Sequence, residues 1–266
     1  MKSTPIELKY ILVLILAFAS GTSCAQVKFK QGDEFQRQIV TKSNCVLQRG
    51  SQTLHVGSVS TVVKSYKVTD ASEKGASFII TTDKLIDTIN AMNQNLVYHS
   101  GKPADPNSVI QVGLQKMLNN QSIVSINSKG EVLSLKRPVV INDTLLSFAG
   151  IQPERLSPGT TLQFMVDFPV SLTLKKGYTW KIATSSAETN YTVYAINGPT
   201  TVITYKTSVL GSSLNSRING SILIDNNTGV ILKRYSQSVS TGYEMVNGIV
   251  YTATRRTAVT EICNKK

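Results

Sequence analysis

The sequence predicts a mainly β fold: a curved antiparallel sheet or half-barrel with two or three short helices inserted mid-chain. The first observation is alternation of apolar and polar residues with period two, as in 59–68 (VSTVVKSYKV) and 203–208 (ITYKTS). The second is that turn-forming sequences recur between such runs. The third is that helical patterns are confined to the middle of the chain. Together these features are typical of consecutive half-buried strands joined by short turns.

The turn sequences each carry a glycine that can adopt the left-handed conformation of a hairpin. They are 70–75 (DASEKG), 128–130 (SKG), 175–177 (KKG), 197–199 (NGP), 225–229 (DNNTG) and 246–248 (VNG). From about Gln163 to Cys263 their spacing predicts six or seven consecutive strands of an antiparallel meander.

The first twenty-five residues predict export. Lys2 and Lys9 form a positive n-region, 10–19 (YILVLILAFA) is apolar, and Ser23 and Ala25 fit a small-residue cleavage site. The mature chain would then work in the periplasm or outside the cell. The apolar run is too short for a spanning helix.

A second interpretation of the same segment is a lipoprotein signal. Cys24 follows Gly-Thr-Ser, and lipidation there would make this an outer-membrane-anchored lipoprotein, although Gly21 replaces the usual aliphatic residue. Both outcomes stay open on the sequence.

Residues 26–266 predict a single β-rich domain, or two related halves, 26–136 and 160–266, joined by a helical segment. The two halves share an echo: 126–135 (INSKGEVLSL) and 224–233 (IDNNTGVILK) both read as strand, turn and strand. Shared turn chemistry explains the echo as well as duplication does.

Three segments predict helices. In the first, Asp105 is an N-cap candidate, Pro106 suits the first helical position, and 109–118 carries an apolar stripe. The second begins at 142–143 and carries apolar residues to 151. The third is 84–93 (KLIDTINAMN), with Leu85, Ile89 and Met92 on one helical face.

Two cysteines remain after cleavage, Cys45 and Cys263, near opposite ends of the fold. In an oxidising compartment a pair on adjacent strands forms a disulfide, so the sequence predicts a Cys45–Cys263 bridge. The alternative is two unrelated small apolar residues.

No catalytic or metal-binding motif is present, so the sequence predicts a protein that is not an enzyme and holds no cofactor or metal. The two histidines, His55 and His99, do not have a metal-ligand spacing. Two acidic pairs, Asp33–Glu34 and Asp167–Glu188, could serve glycoside hydrolysis if their carboxyl groups met in space at the required separation. Solvation or pairing with lysine and arginine is their expected state.

A formal net charge of +12 favours contact with anionic surfaces of the cell envelope. Adjacent basic pairs occur at 175–176, 233–234 and 255–256. Adjacent strand residues point to opposite faces, so these pairs form no continuous basic stripe, and nucleic-acid binding is not expected.

The motifs 176–180 (KGYTW), 191–196 (YTVYAI) and 224–231 (IDNNTGVI) resemble the G-x-x-W, strand, D-x-x-T-G pattern of uncharacterised exported β-rich proteins of Bacteroidota. That family has no established activity. Its architecture in turn resembles the half-barrel of lipoprotein-localisation factors. This resemblance implies an apolar hollow for acyl chains, with the helices near 109–118 and 145–151 as its plug or lid.

Two functions follow. The first is a non-catalytic envelope protein that binds a lipid or hydrophobic small molecule in the concavity of a curved sheet, in a hollow lined by apolar sheet residues and the helical insert. The alternative is a structural or adhesive envelope module that acts through protein or polyanion contacts. Trp180 is expected to pack in the core, and stacking on a ligand is the alternative.

Overall fold

A computed structural model describes residues 29–91, 94–118, 120–136, 146, 149–151, 156–166, 175–246 and 248–266. The predicted export signal with Cys24 lies outside the described residues, and so does most of the helix predicted over 142–151. Within the described parts the chain forms twelve strands and one helix. In chain order they are β1 (Glu34–Arg49), β2 (Gln52–Ser72), β3 (Gly75–Ala91), β4 (Gln94–His99), α1 (Val109–Gln115), β5 (Ser122–Asn127), β6 (Val132–Lys136), β7 (Thr179–Ala183), β8 (Ala187–Asn197), β9 (Thr200–Leu210), β10 (Leu214–Asp225), β11 (Ile231–Val246) and β12 (Ile249–Lys265).

All twelve strands belong to one antiparallel sheet, which confirms the predicted fold class. The order is β6-β5-β3-β2-β1-β12-β11-β10-β9-β8-β7, and β4 pairs with β3. The C-terminal meander of six strands is also as predicted. The first and last strands join the two predicted halves, with Phe35 opposite Lys265 and Gln48 opposite Thr252. Whether the halves are related by duplication stays a prediction.

The sheet is curved. Segment 156–166 forms a bridge to Glu131 at the β5–β6 turn through Thr161, and a bridge to Val230 at the β10–β11 turn through Met165. The path between β6 and β11 along the sheet is six strand spacings, about 29 Å, whereas the four residue steps of the segment and its two bridges of about 5 Å each span at most about 24 Å. The two echoing hairpins therefore face each other across a concave surface.

An aromatic cluster holds the two turns together. Phe164 of the crossing segment packs against Tyr66 at 4.5 Å between ring centroids, and against Phe35 and Phe78 at 5.8 Å. These residues lie in the largest buried cluster with Leu162 and other apolar side chains. The crossing segment thereby closes one end of the concavity.

Helix α1 begins later than the sequence predicted. Its N-cap is Ser108, whose hydroxyl accepts a hydrogen bond from the backbone N–H of Gln111. Asp105 instead accepts a hydrogen bond from the N–H of Asn107 in a turn that precedes the helix. The short polar side chain therefore forms a local turn where the sequence predicted a cap.

The helix predicted over 84–93 is wrong, because 84–91 belongs to strand β3. Leu85, Asp87 and Ile89 all point to one buried face of the strand. The polar residue between the two apolar ones hides the period of two and leaves an i, i+4 apolar spacing that resembles a helix. Within the described ranges, no helix combines the length and the apolar character needed to cross a membrane.

Candidate ligand-binding face

The concave face of the sheet carries a band of small hydroxyl side chains across its middle. Strand register places these residues in adjacent rows on the same face. We call this set the hydroxyl band: Thr189, Thr207, Ser216, Ser236, Ser238, Ser240, Thr257, Thr41, Ser43, Ser58 and Ser60. It runs from β8 to β2.

Neighbouring members of the hydroxyl band hydrogen-bond across the strands. The hydroxyl oxygens of Thr189 and Thr207 are 2.9 Å apart, and those of Ser216 and Ser240 are 2.7 Å apart. Ser43 and Thr257 form a third, longer contact of 3.3 Å. Because a hydroxyl both donates and accepts, each pair keeps capacity for a further polar partner.

One half of the band is open and the other is covered. On β8 to β12 its threonines and its residues Ser216, Ser238 and Ser240 are half-buried. On β1 and β2 its four residues are buried. A Cβ added to Gly150 would lie 2.1 Å from the hydroxyl of Ser58, so the chain at this glycine lies directly on the covered half.

Apolar clusters lie on both sides of the open half. Toward the β11–β12 hairpin the inner face is formed by Cys45, Leu47, Tyr251 and Ala253. On the other side lies a cluster of Val166, Trp180, Val193, Ile203, Ile222, Ile224 and Ile231. The inner face is therefore apolar on both sides of the hydroxyl band, and within the band Ile218 and Val259 stand among the hydroxyl residues. The predicted apolar lining of a ligand site stays a prediction.

A buried ion-pair cluster adjoins the band. Arg37 donates to Glu261 at 2.5 Å and to the hydroxyl of Tyr66 at 3.1 Å. Arg234 approaches the same carboxylate at 3.2 Å and donates to the carbonyl of Gln163 in the crossing segment at 3.1 Å. One carboxylate, that of Glu261, thus pairs with two guanidinium groups.

A second ion pair lies at the opposite flank of the band. Arg255 donates to Glu244 at 2.6 Å, and both side chains are about one-fifth exposed. Lys233 and Arg256, the sequence neighbours of Arg234 and Arg255 in the basic pairs, point outward and are exposed. This confirms that adjacent basic residues divide between the two faces.

At its covered end the hydroxyl band continues to Asp87. This residue lies opposite Ser60 of β2 and opposite Tyr98 of β4, and its side chain is fully buried. Among the described residues, no side chain donates a hydrogen bond to the carboxyl group of Asp87, and the hydroxyl of Ser60 has no hydrogen-bond partner. Burial raises the pKa of Asp87 to about 7, against a lowering contribution from the backbone N–H of Thr88.

The other residues that the sequence singled out pack in the core or form ion pairs, where the structure describes them. Trp180 is buried and stacks on Tyr191 at 4.8 Å, which confirms core packing. Asp33 pairs with Lys265 and Glu34 with Lys266, while Glu188 pairs with Lys181 and Asp167 lies outside the described residues. In the part of the chain that the structure describes, no three metal-ligating side chains gather at one place.

The structure does not bring Cys45 and Cys263 together, and both are buried free thiols. They do lie on adjacent strands, but Cys45 is opposite Arg255 and Cys263 is opposite Arg37. Eight residues of strand separate the two rows, about 26 Å, far beyond the reach of a disulfide. The predicted bridge therefore fails on register, which spacing along the sequence does not reveal.

Comparison with protein families and with curated proteins found no match. Comparison with solved structures found an outer membrane channel from Pseudomonas putida F1, at 6% identity and a TM-score of 0.25, covering 90% of this chain and 98% of that one. OpdQ of Pseudomonas aeruginosa matches at 6% identity and a TM-score of 0.23, covering 89% of this chain and 100% of that one.

A DUF1329 family protein from Desulfovibrio piger matches at 9% identity and a TM-score of 0.20, covering 98% of this chain and 92% of that one. TM-scores this low do not establish a shared fold, so these similarities carry no functional assignment. The resemblance to exported proteins of Bacteroidota stays a prediction.

Proposed function

We propose that this protein is a non-catalytic component of the cell envelope that binds an amphipathic lipid along the open half of its concave face. The observation that carries the proposal is the arrangement of that face. On strands β8 to β12 a half-buried row of hydroxyl groups, interrupted by Ile218, runs between two apolar clusters. The export signal predicted for residues 1–25 supports the location.

The two kinds of surface suit the two parts of such a ligand. The apolar clusters around Ile203 and around Tyr251 offer contact to acyl chains, and burial of each methylene contributes about 0.8 kcal/mol. The hydroxyl band offers donors and acceptors to a polar headgroup without requiring a charge. The guanidinium group of Arg234, which is one-quarter exposed beside Glu261, offers a cation to an anionic headgroup.

The direct test is binding of stearate by isothermal titration calorimetry, with wild-type protein and two variants of neighbouring residues on β11. Ser238 points into the open half of the band, whereas Val239 points outward and is exposed. We expect S238Y to abolish binding by filling the concavity and V239Y to bind as wild type. No binding by the wild type, or equal loss in both variants, would contradict the proposal.

A second candidate function is an adhesive or structural module that uses the convex face. Outward-facing apolar side chains are exposed near the β11–β12 hairpin, including Tyr243, Met245 and its cross-strand neighbour Val250. Self-association measured by light scattering, lost in M245K and retained in S238Y, would favour this function.

A further inference from the structure

Helix α1 and residues 149–151 form a cover over the inner face of β2 to β4. Leu114 and Met117 from the helical region pack in one buried cluster with Ala149 and Ile151 and with sheet residues of these strands. The sheet side of the cluster includes Leu85 and Ile89. Asp87 lies between these two on the same strand face, so it lies beneath the cover.

We propose that Asp87 is a pH-responsive latch of this cover: ionisation of its carboxyl group loosens α1 and residues 149–151 and exposes the covered end of the hydroxyl band. The consequence for ligand binding rests on the proposed function, whereas the movement of the cover does not. The latch regulates how much of the band a ligand can reach.

The geometry gives the carboxylate little compensation where it lies. Among the described residues no side chain donates a hydrogen bond to either oxygen, the facing hydroxyl of Ser60 is unpaired, and the backbone N–H of Thr88 offsets only part of the cost of burial. An ionised carboxylate buried in this way is unfavourable, and water that enters beneath a displaced cover relieves it. The raised pKa of Asp87, about 7, places the change near neutrality.

In the described parts of the chain, no charged group that faces Asp87 offsets this response. On β2 the same face carries Lys64 and on β1 Arg37, each two rows or more further along its strand, and neither contributes to the pKa of Asp87. On β4 the facing group is Tyr98, whose hydroxyl donates to Gln115 of α1 at 2.8 Å. Helix α1 and residues 149–151 contain no titratable side chain, and Lys116 at the helix C-cap is exposed.

The test is hydrogen–deuterium exchange of the ligand-free protein from pH 5.5 to 8.5, corrected for intrinsic exchange rates. We expect segment 109–118 to exchange about tenfold faster, or more, at the upper pH, while segment 191–196 of β8 is unchanged. In D87N segment 109–118 should stay protected at every pH. D70N, which removes an exposed carboxylate of β2, should behave as wild type.

Constant protection of 109–118 in the wild type would overturn the proposal, and so would an equal pH response in D87N. A matching rise in 191–196 would overturn it as well, because it would indicate global unfolding. The wild-type comparison of the two segments decides the matter even if D87N does not fold. Because no ligand is present, failure of the lipid-binding proposal leaves this result unaffected.

Discussion

Asp87 makes the stability of the protein depend on pH. Its pKa is about 7 in the fold and 3.8 in a model compound, so the folded state holds a proton that the unfolded chain has released between these values. Stability is therefore greatest at low pH with respect to this group and falls as the pH rises from about 4 to about 7. The difference of about three units corresponds to about 4 kcal/mol.

We expect D87N to remove most of this dependence. Denaturant unfolding at pH 5.5 and 8 should show the wild type losing stability at the higher pH and D87N losing much less. D70N serves as the control, since its carboxyl group is exposed. A wild-type stability that rises between these two pH values would contradict the assignment.

Glu261 is the residue on which the buried ion-pair cluster depends. Its removal leaves Arg37 and Arg234 without their shared carboxylate, and Arg37 is as buried as Glu261 itself. Breaking a buried pair in this way costs about 3 to 5 kcal/mol. We expect E261Q to lower the free energy of unfolding by this order.

The matched control is E188Q, which removes the carboxylate of the surface pair with Lys181. Surface pairs contribute little, so its unfolding curve should overlay that of the wild type. Equal effects of the two substitutions in urea titrations would show that the cluster around Glu261 is solvated.

At the scale of elements, the crossing segment 156–166 holds the sheet in its curved form. Phe164 contacts three aromatic rings that lie on β1, β2 and β3, and the flanking bridges fix the β5–β6 and β10–β11 turns. We expect F164A to cost about 3 to 5 kcal/mol, as for other buried aromatic residues. Chemical denaturation measures the loss, with Y243A on the exposed convex face as the control.

An F164A protein as stable as the wild type would show that the crossing segment does not hold the curvature. A loss in Y243A equal to that in F164A would lead to the same conclusion, because it would point to a general effect of aromatic removal.

Much of the element plan could be predicted from the sequence, because turn glycines and period-two alternation mark hairpins locally. Both echoing segments, 126–135 and 224–233, form hairpins as expected. The helix predicted over 84–93 was wrong because Asp87 is a polar residue on a buried strand face. Local sequence patterns cannot show that α1 and residues 149–151, which are distant in the sequence, bury it. The hydroxyl band does have a signal in the sequence, because Ser236, Ser238 and Ser240 alternate along one strand.

At the scale of the whole molecule, register decides which residues meet. The pairing of β1 with β12 brings the two cysteine strands together but offsets the thiols by eight residues. We expect the mass of the mature protein to be the same with and without reductant. Both thiols should react with a maleimide only after denaturation, since both are buried and burial raises the pKa of each. A two-dalton difference on reduction would contradict this register.

The central claim, that the concave face binds an amphipathic lipid, is tested most directly at Trp180, the single tryptophan of the chain. It lies in the apolar cluster beside the open half of the hydroxyl band. Titration with brominated stearate should quench its fluorescence saturably, because bromine quenches only at close range, whereas plain stearate should not. S238Y should show no quenching. Equal quenching in S238Y, or none in the wild type, would show that no acyl chain enters the concavity.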